Sequence, residues 1–261
     1  MIFCYTSTGN SYWAARRISK DLDETLYSVN AIAKGGYNAC DYDFGENERL
    51  ILAFPVHSWS VPMVMSTFLK KFHFTGKPVG VYALCTCGDD CGTTNAVVAR
   101  MLLRLNLKLS ACFSLTMPND YVLMRGFEVD ADAVRDQKLA AAVDQLDKIE
   151  ARMRVGSTDA AGLYNPGRMA WLKTHLVNPL FQHFQCGHTP FHATDACVGC
   201  SLCSKVCPVN NIRMQDGKPQ WRKHCVQCCA CFHRCPQMAV QYGKVTDGKR
   251  QYLNPNVKLD D

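Results

Sequence analysis

The sequence predicts an α/β protein: a doubly wound, five-stranded parallel sheet of order 2-1-3-4-5, followed by a small α+β unit. Three observations carry this. The first 117 residues alternate short apolar runs with helical stretches, which argues for a parallel sheet covered on both faces. Residues 132–154 place Leu139, Val143, Leu146, Ile149 and Met153 at steps of three and four, one stripe for closing the sheet. Residues 197–236 hold two copies of one cysteine pattern at an offset of 28.

In chain order, MIFCY (1–5) reads as the first strand and residues 11–21 as a helix. TLYSVN (25–30) and RLILAF (49–54) are the second and third strands. Residues 62–72 read as a helix after Pro62, PVGVYALC (78–85) as the fourth strand, residues 93–105 as a helix and SACFSLTM (110–117) as the fifth strand. Residues 155–167 are small and polar, a linker. In 169–184, Met169, Leu172, Leu176, Leu180 and Phe184 lie at helical spacing, and Pro179 should end or kink that helix. Such a stripe suits a membrane surface or, as the plainer reading, packing between domains. The expected division is 1–155, then a linker and docking helix at 156–185, then 186–261. The tail after Tyr242 is polar and carries no clear signal.

At 48% apolar, the chain has ample material for a core. No apolar run approaches the length of a membrane span, and MIFCYTSTGNS lacks the layout of a signal peptide. With sixteen cysteines and no sign of export, a reducing, cytoplasmic setting is expected. The net charge of +6 is concentrated in residues 186–261, which hold ten Lys/Arg and five Asp/Glu. Nucleic-acid binding is one reading of a basic tail. Offsetting bound anionic groups is the plainer one, so no nucleic-acid partner is expected.

The cysteine repeat carries the chemistry. CVGCSLCSKVCP and CVQCCACFHRCP each read Cys-x2-Cys-x2-Cys-x3-Cys-Pro. Val198 repeats as Val226, Pro208 as Pro236 and Ile212 as Val240. Three thiolates at two-residue spacing can meet one inorganic cube, and the fourth ligates the other cube. Cys235 is therefore expected to join Cys197, Cys200 and Cys203, and Cys207 to join Cys225, Cys228 and Cys231, around two [4Fe–4S] clusters. Disulfides fit poorly with a reducing setting, and zinc sites need no third Cys two residues on. Cys229 breaks the repeat if taken as a ligand, so it is read as a bystander. The segment 190–245 resembles bacterial-type two-cluster ferredoxins.

A second site is expected at the carboxyl edge of the sheet. The first strand runs into Thr6-Ser7-Thr8-Gly9-Asn10-Ser11, where hydroxyls, a permissive glycine and the free N–H groups of a helix start make a phosphate cradle. A generous N-cap is the alternative. The loop is neither a Walker loop nor GxGxxG. Pro55-Val56-His57-Ser58-Trp59 and Thr86-Cys87-Gly88-Asp89 end the third and fourth strands and share that edge. Trp59 offers a flat face for an isoalloxazine ring. On these residues, 1–155 resembles a flavodoxin, with TSTGNS at the FMN phosphate position.

Together the two resemblances cover most of the chain and match the flavodoxin–ferredoxin fusions called ferrodoxins. PVHSW, TCGDDCG, MPNDY (117–121) and CPVNNI (207–212) look like that family's motifs. Flavodoxins stack a second aromatic from the third loop, which residues 85–92 lack, and Tyr121 stands in for it. His57 is placed for proton transfer to a flavin, or is an ordinary loop histidine. Cys85, Cys87 and Cys91 lack a nearby fourth ligand and read as buried thiols. The resemblance implies an electron carrier that passes electrons between FMN and two clusters and so links two-electron and one-electron redox protein partners. The alternative is a flavin-dependent reductase acting on a quinone or nitro compound. A redox sensor would need an output module, and none is visible.

Overall fold

Strand β1 (Ile2–Cys4) sends Phe3 to one face of a sheet and Ile2 and Cys4 to the other, and both faces are buried. The same alternation runs through β4 (Leu50–Pro55), where Leu50, Leu52 and Phe54 oppose Ile51 and Ala53. The computed structural model describes residues 1–38, 40–187 and 190–258. With β2 (Leu26–Ser28), β6 (Val81–Cys87) and β7 (Ala111–Thr116), these strands form one parallel sheet of order β2-β1-β4-β6-β7. Counted among themselves, the five strands run 2-1-3-4-5.

Helices cover both faces. On one face α1 (Asn10–Leu22) contributes Trp13, Ala14, Ala15 and Ile18, and α5 (Asp132–Arg154) contributes Leu139, Leu146, Ile149 and Met153. Val143, on the expected stripe, is instead 39% exposed, because Ala142 takes the inward position. On the other face lie α2 (Val29–Lys34), α3 (Met63–Lys71) and α4 (Thr94–Leu103). The second strand is shorter than its apolar run, because Ser28 caps α2 by accepting from the Ala31 N–H at 3.2 Å. A parallel pair, β3 (Asp41–Phe44) with β5 (His73–Gly76), was not expected. It packs Phe44, Phe72 and Phe74 beside the sheet.

Residues 170–184 form one helical rod: α6 (Ala170–Leu172), a π-helical turn (Lys173–Val177) and α7 (Asn178–Phe184). Pro179 does not end it. The π-turn lies directly upstream, where a proline's missing N–H and ring disturb the regular bonding, and the α-helix resumes at Asn178. The expectation that the apolar stripe docks is also overturned. Met169, Leu176, Leu180 and Phe184 are 67%, 51%, 48% and 65% exposed, while Thr174 and Asn178 are buried. Polar bonds seat this helix: Thr174 Oγ1 donates to the Trp59 carbonyl at 2.8 Å, Asn178 Nδ2 to the His57 carbonyl at 3.1 Å, and Lys173 pairs with Asp90 at 2.6 Å.

The remainder is a small strand region built twice. Strand β8 (Phe191–Ala193), a cysteine loop, α8 (Leu202–Lys205) and β9 (Ile212–Gln215) make the first half. Strand β10 (Lys218–Trp221), the second loop, α9 (Ala230–His233) and β11 (Val240–Tyr242) make the second. Each half lends a strand to the other, because β8 pairs antiparallel with β11. Left-handed residues recur at the same offset of 28: Gly199 and Gln227, Ser201 and Cys229, Asn210 and Met238. The backbone, not only the cysteine spacing, is repeated. No helix among the described residues is long and apolar enough to cross a membrane.

Candidate metal centre

The two cysteine loops close on two separate cavities. One is lined by Cys197, Cys200, Cys203 and Cys235, with Val198, Leu202, Met214 and Val240. The other is lined by Cys207, Cys225, Cys228 and Cys231, with Phe191, Ile212, Trp221 and Cys229. Each takes the first three repeat cysteines of one run and the last of the other, and the second cavity has Cys229 as a fifth thiol. The reason is local geometry. The third Cys of each run sits inside a one-turn helix, Cys203 in α8 and Cys231 in α9, and the fourth Cys follows its far end and lines the sister loop's cavity.

Backbone amides are already turned toward the sulfurs. The Asn211 N–H donates to Cys207 Sγ at 3.2 Å, and its repeat equivalent, the Ala239 N–H, donates to Cys235 Sγ at 3.3 Å. The Gln227 N–H reaches Cys225 Sγ at 3.4 Å. Burial pushes the Cys203 thiol up to about 11 and the Cys225 thiol up to about 12, so these sulfurs become thiolates when a cation compensates them. Among the described residues, no three His, Cys, Asp or Glu side chains gather closely enough for a single metal ion. A tetrahedral zinc draws its sulfurs within about 4 Å of one another, from Zn–S bonds of about 2.3 Å. A four-iron cube takes four thiolates on a wider frame, and each of the two cavities offers at least four cysteines.

Residues 191–213, which carry Cys197, Cys200, Cys203 and Cys207, match the family model for a 4Fe-4S binding domain. This is a ferredoxin-type iron–sulfur region. It supports a [4Fe–4S] cluster and points to iron–sulfur electron transfer with redox-protein partners. No curated protein and no solved structure matches the chain.

Cys229 occupies the left-handed position that Ser201 holds in the first run, and its thiol donates to the Gln227 carbonyl at 3.6 Å. Its slot in the repeat is thus one that a non-ligand fills in the sister half. The buried thiols of the sheet are separate. Cys112, 27 residues from Cys85 in sequence, brings its sulfur to 3.7 Å from that of Cys85, beside Cys87 and Cys91.

The sheet edge brings the other candidate residues together with the second cysteine run. Val226 is buried within the sheet's core, and Cys228 packs against it. His233 Nδ1 accepts the Tyr252 N–H at 3.1 Å, so its Nε2 carries the proton and donates to the Asp120 carbonyl at 2.6 Å. Tyr121 donates to Gln227 Oε1 at 3.4 Å and sits edge-on to Phe127 and Phe181, so it serves the second loop rather than residues 86–89. Sequence reading missed Asp120, Gln227 and His233, whose pairing spans more than a hundred residues.

For FMN the fit is partial. Gly9, at φ +101°, has the conformation a cradle needs. The hydroxyls already have partners within the protein, however. Thr6 Oγ1 accepts the Gly9 N–H at 3.1 Å, Thr8 Oγ1 donates to Asp120 Oδ2 at 2.5 Å, and Ser11 Oγ lies 2.7 Å from Thr86 Oγ1. Asn10 is buried between the Pro118 carbonyl and the tail, accepting from Tyr252 Oη at 2.6 Å. Of the hydroxyls in residues 6–11, that of Ser7 is buried without a partner.

In the second loop, Pro55 ends β4, the Val56 N–H donates to the Thr86 carbonyl at 2.8 Å, and Ser58 and Trp59 make a left-handed turn. The Trp59 ring faces Lys173 Nζ at 5.2 Å. His57 packs on Tyr5, and burial pushes its pKa down to about 4, so it is neutral at pH 7. In the third loop, Cys87 is buried, the Gly88 and Asp89 carbonyls accept from Lys138 and Asn165, and a Cβ on Gly88 would lie 1.6 Å from Asn119 Oδ1. A cavity of about 450 Å³ opens beside the loop after β1, lined by Thr6, Ser7, Tyr12, Tyr27, Lys34 and Arg234, among others, and by no residue of the second or third loop.

Proposed function

We propose that the chain is an electron carrier with two [4Fe–4S] clusters, ligated by Cys197, Cys200, Cys203 and Cys235 and by Cys207, Cys225, Cys228 and Cys231. The observation that carries this is that two cavities each gather the three repeat cysteines at the start of one run and the last cysteine of the other, with Cys229 as an additional thiol in the second. The clusters supply one-electron transfer when bound. The chain's own part is to exclude water, to donate N–H groups to the sulfurs and to set which cluster meets the outside. Cys200 is exposed and Val198 is 67% exposed, so the first cluster is the port for a redox protein. The second is shielded by the sheet edge. Iron and sulfide analysis with low-temperature EPR of anaerobically purified protein tests this reading. A rhombic signal from one cluster only, with half the iron, would end it.

The flavin part of the reading rests on the sheet order 2-1-3-4-5 and the glycine-bearing loop after β1. In it, residues 1–155 hold one FMN at the sheet edge, residues 156–185 connect, and residues 186–261 hold the clusters. Thr8 can serve a phosphate only by giving up Asp120. Asp120→Asn should therefore strengthen FMN binding, read by quenching of flavin fluorescence on titration. Gly9→Val is a poor test, because a Cβ there would meet Val257 Cγ2 at 2.9 Å with or without flavin. If neither wild type nor Asp120→Asn quenches FMN, the flavin part fails and the cluster part stands. The alternative, a reductase for a small substrate, is favoured by the cavity of about 450 Å³, which is the size of ordinary ligand sites. Turnover of quinones without a protein partner would select it.

A further inference from the structure

Among the described residues, six buried side-chain polar atoms have no hydrogen-bond partner in the protein, and four of them border the second cysteine group. They are Tyr5 Oη, Ser7 Oγ, Asn211 Nδ2 and Trp221 Nε1. All four can donate. A buried donor left unpaired is costly, and native proteins seldom keep one without a use. Four around one site point to an acceptor that the protein's own N and O atoms do not provide.

The geometry names the acceptor. Asn211 and Trp221 line the cavity of Cys207, Cys225, Cys228 and Cys231. Asn211 is 1% exposed, and its Oδ1 is taken by the His224 N–H at 3.0 Å, which leaves the amide nitrogen for the cavity. Tyr5 is fully buried at the end of β1, and Ser7 follows two residues on. Tyr5 lies in the same buried core as Val226, against which Cys228 packs, and Ser7 lines one cavity together with Cys207. The cavity of Cys197, Cys200, Cys203 and Cys235 is lined by none of the six orphans.

We infer that Tyr5 and Ser7, with Asn211 and Trp221, donate hydrogen bonds to the sulfurs of the second cluster and raise its reduction potential. This rests on the two-cluster reading above. Adding an electron makes the cluster more negative, and donors aimed at its sulfurs stabilise that charge, so the reduced form gains. Two of the donors come from the parallel sheet, not from the ferredoxin-type region. The sheet is then part of the electrical environment of the second cluster as well as its shield.

The test is an EPR-monitored redox titration of the full-length chain, purified anaerobically, with iron counted in every sample. Tyr5→Phe keeps the ring and removes the hydroxyl; Ser7→Ala is the smaller change at an independent donor. Each should lower the midpoint potential of one and the same cluster and leave the other unmoved, and the double variant should lower it further. Trp221→Phe should move that same cluster. Eight irons with both potentials unmoved in Tyr5→Phe and Ser7→Ala would overturn the inference and leave the two-cluster reading intact. An equal shift in both clusters would also overturn it, since that is general loosening. Four irons in the wild type would remove the two-cluster reading and this inference with it.

Discussion

Thr174 Oγ1 donates to the Trp59 carbonyl at 2.8 Å and accepts the Thr93 N–H at 2.8 Å, so one buried hydroxyl joins the helical rod to two loops of the sheet edge. Thr174→Val keeps the shape and orphans both partners. An expected loss of ~1–3 kcal/mol follows from leaving buried backbone groups unpaired, measured by chemical denaturation. Leu176→Asp, on the exposed side, should cost less than about 0.5 kcal/mol. A larger loss at Leu176 than at Thr174 would mean that the apolar stripe does the docking.

Lys249 is buried and donates to the carbonyls of Val122, Met124 and Phe127 at 2.8, 2.8 and 2.7 Å. It holds the 117–130 loop against the segment that follows β11. Lys249→Met retains the stem and strands three acceptors, so a destabilisation of ~2–4 kcal/mol is expected. Equal midpoints for variant and wild type in urea would contradict the role.

His57 provides a pH test. Its folded pKa lies near 4, pushed down by burial, below the ordinary value of 6.5. The unfolded chain therefore binds this proton more readily between those values. The stability that depends on neutral His57 is present above pH 6.5 and is lost as pH falls toward 4. His57→Gln should flatten the melting temperature against pH in that window and leave it unchanged above pH 7. An acid limb as steep as that of the wild type would assign the loss to other groups.

Cys229→Ser should retain all the iron, because the equivalent position in the first run is Ser201. Cys203→Ser should lose one cluster and keep the other. Iron loss from the Cys229 variant would mean that the second run uses a different set of thiols.

The repeat and the sheet were legible because both are periodic. A 28-residue offset and a strand–helix alternation survive in a linear reading. The docking of the rod was not legible, because spacing reports which residues are apolar and not which face is used. Thr174, Asn178 and Lys173 settle it through polar bonds to residues more than 80 positions away. The tail was unreadable for the same reason: Tyr252 and Asn254 look like loop residues, yet both bond to Asn10. The orphan donors needed a fold to be seen, since Tyr5 and Cys228 are adjacent only in space.

The central claim is the number of clusters. Iron and acid-labile sulfide per chain, measured on anaerobically purified protein, test it most directly. Two cross-ligated cubes require eight irons and eight sulfides, as expected for four irons and four sulfides in each. Four of each, reproducibly and with full occupancy of a single EPR signal, would contradict it.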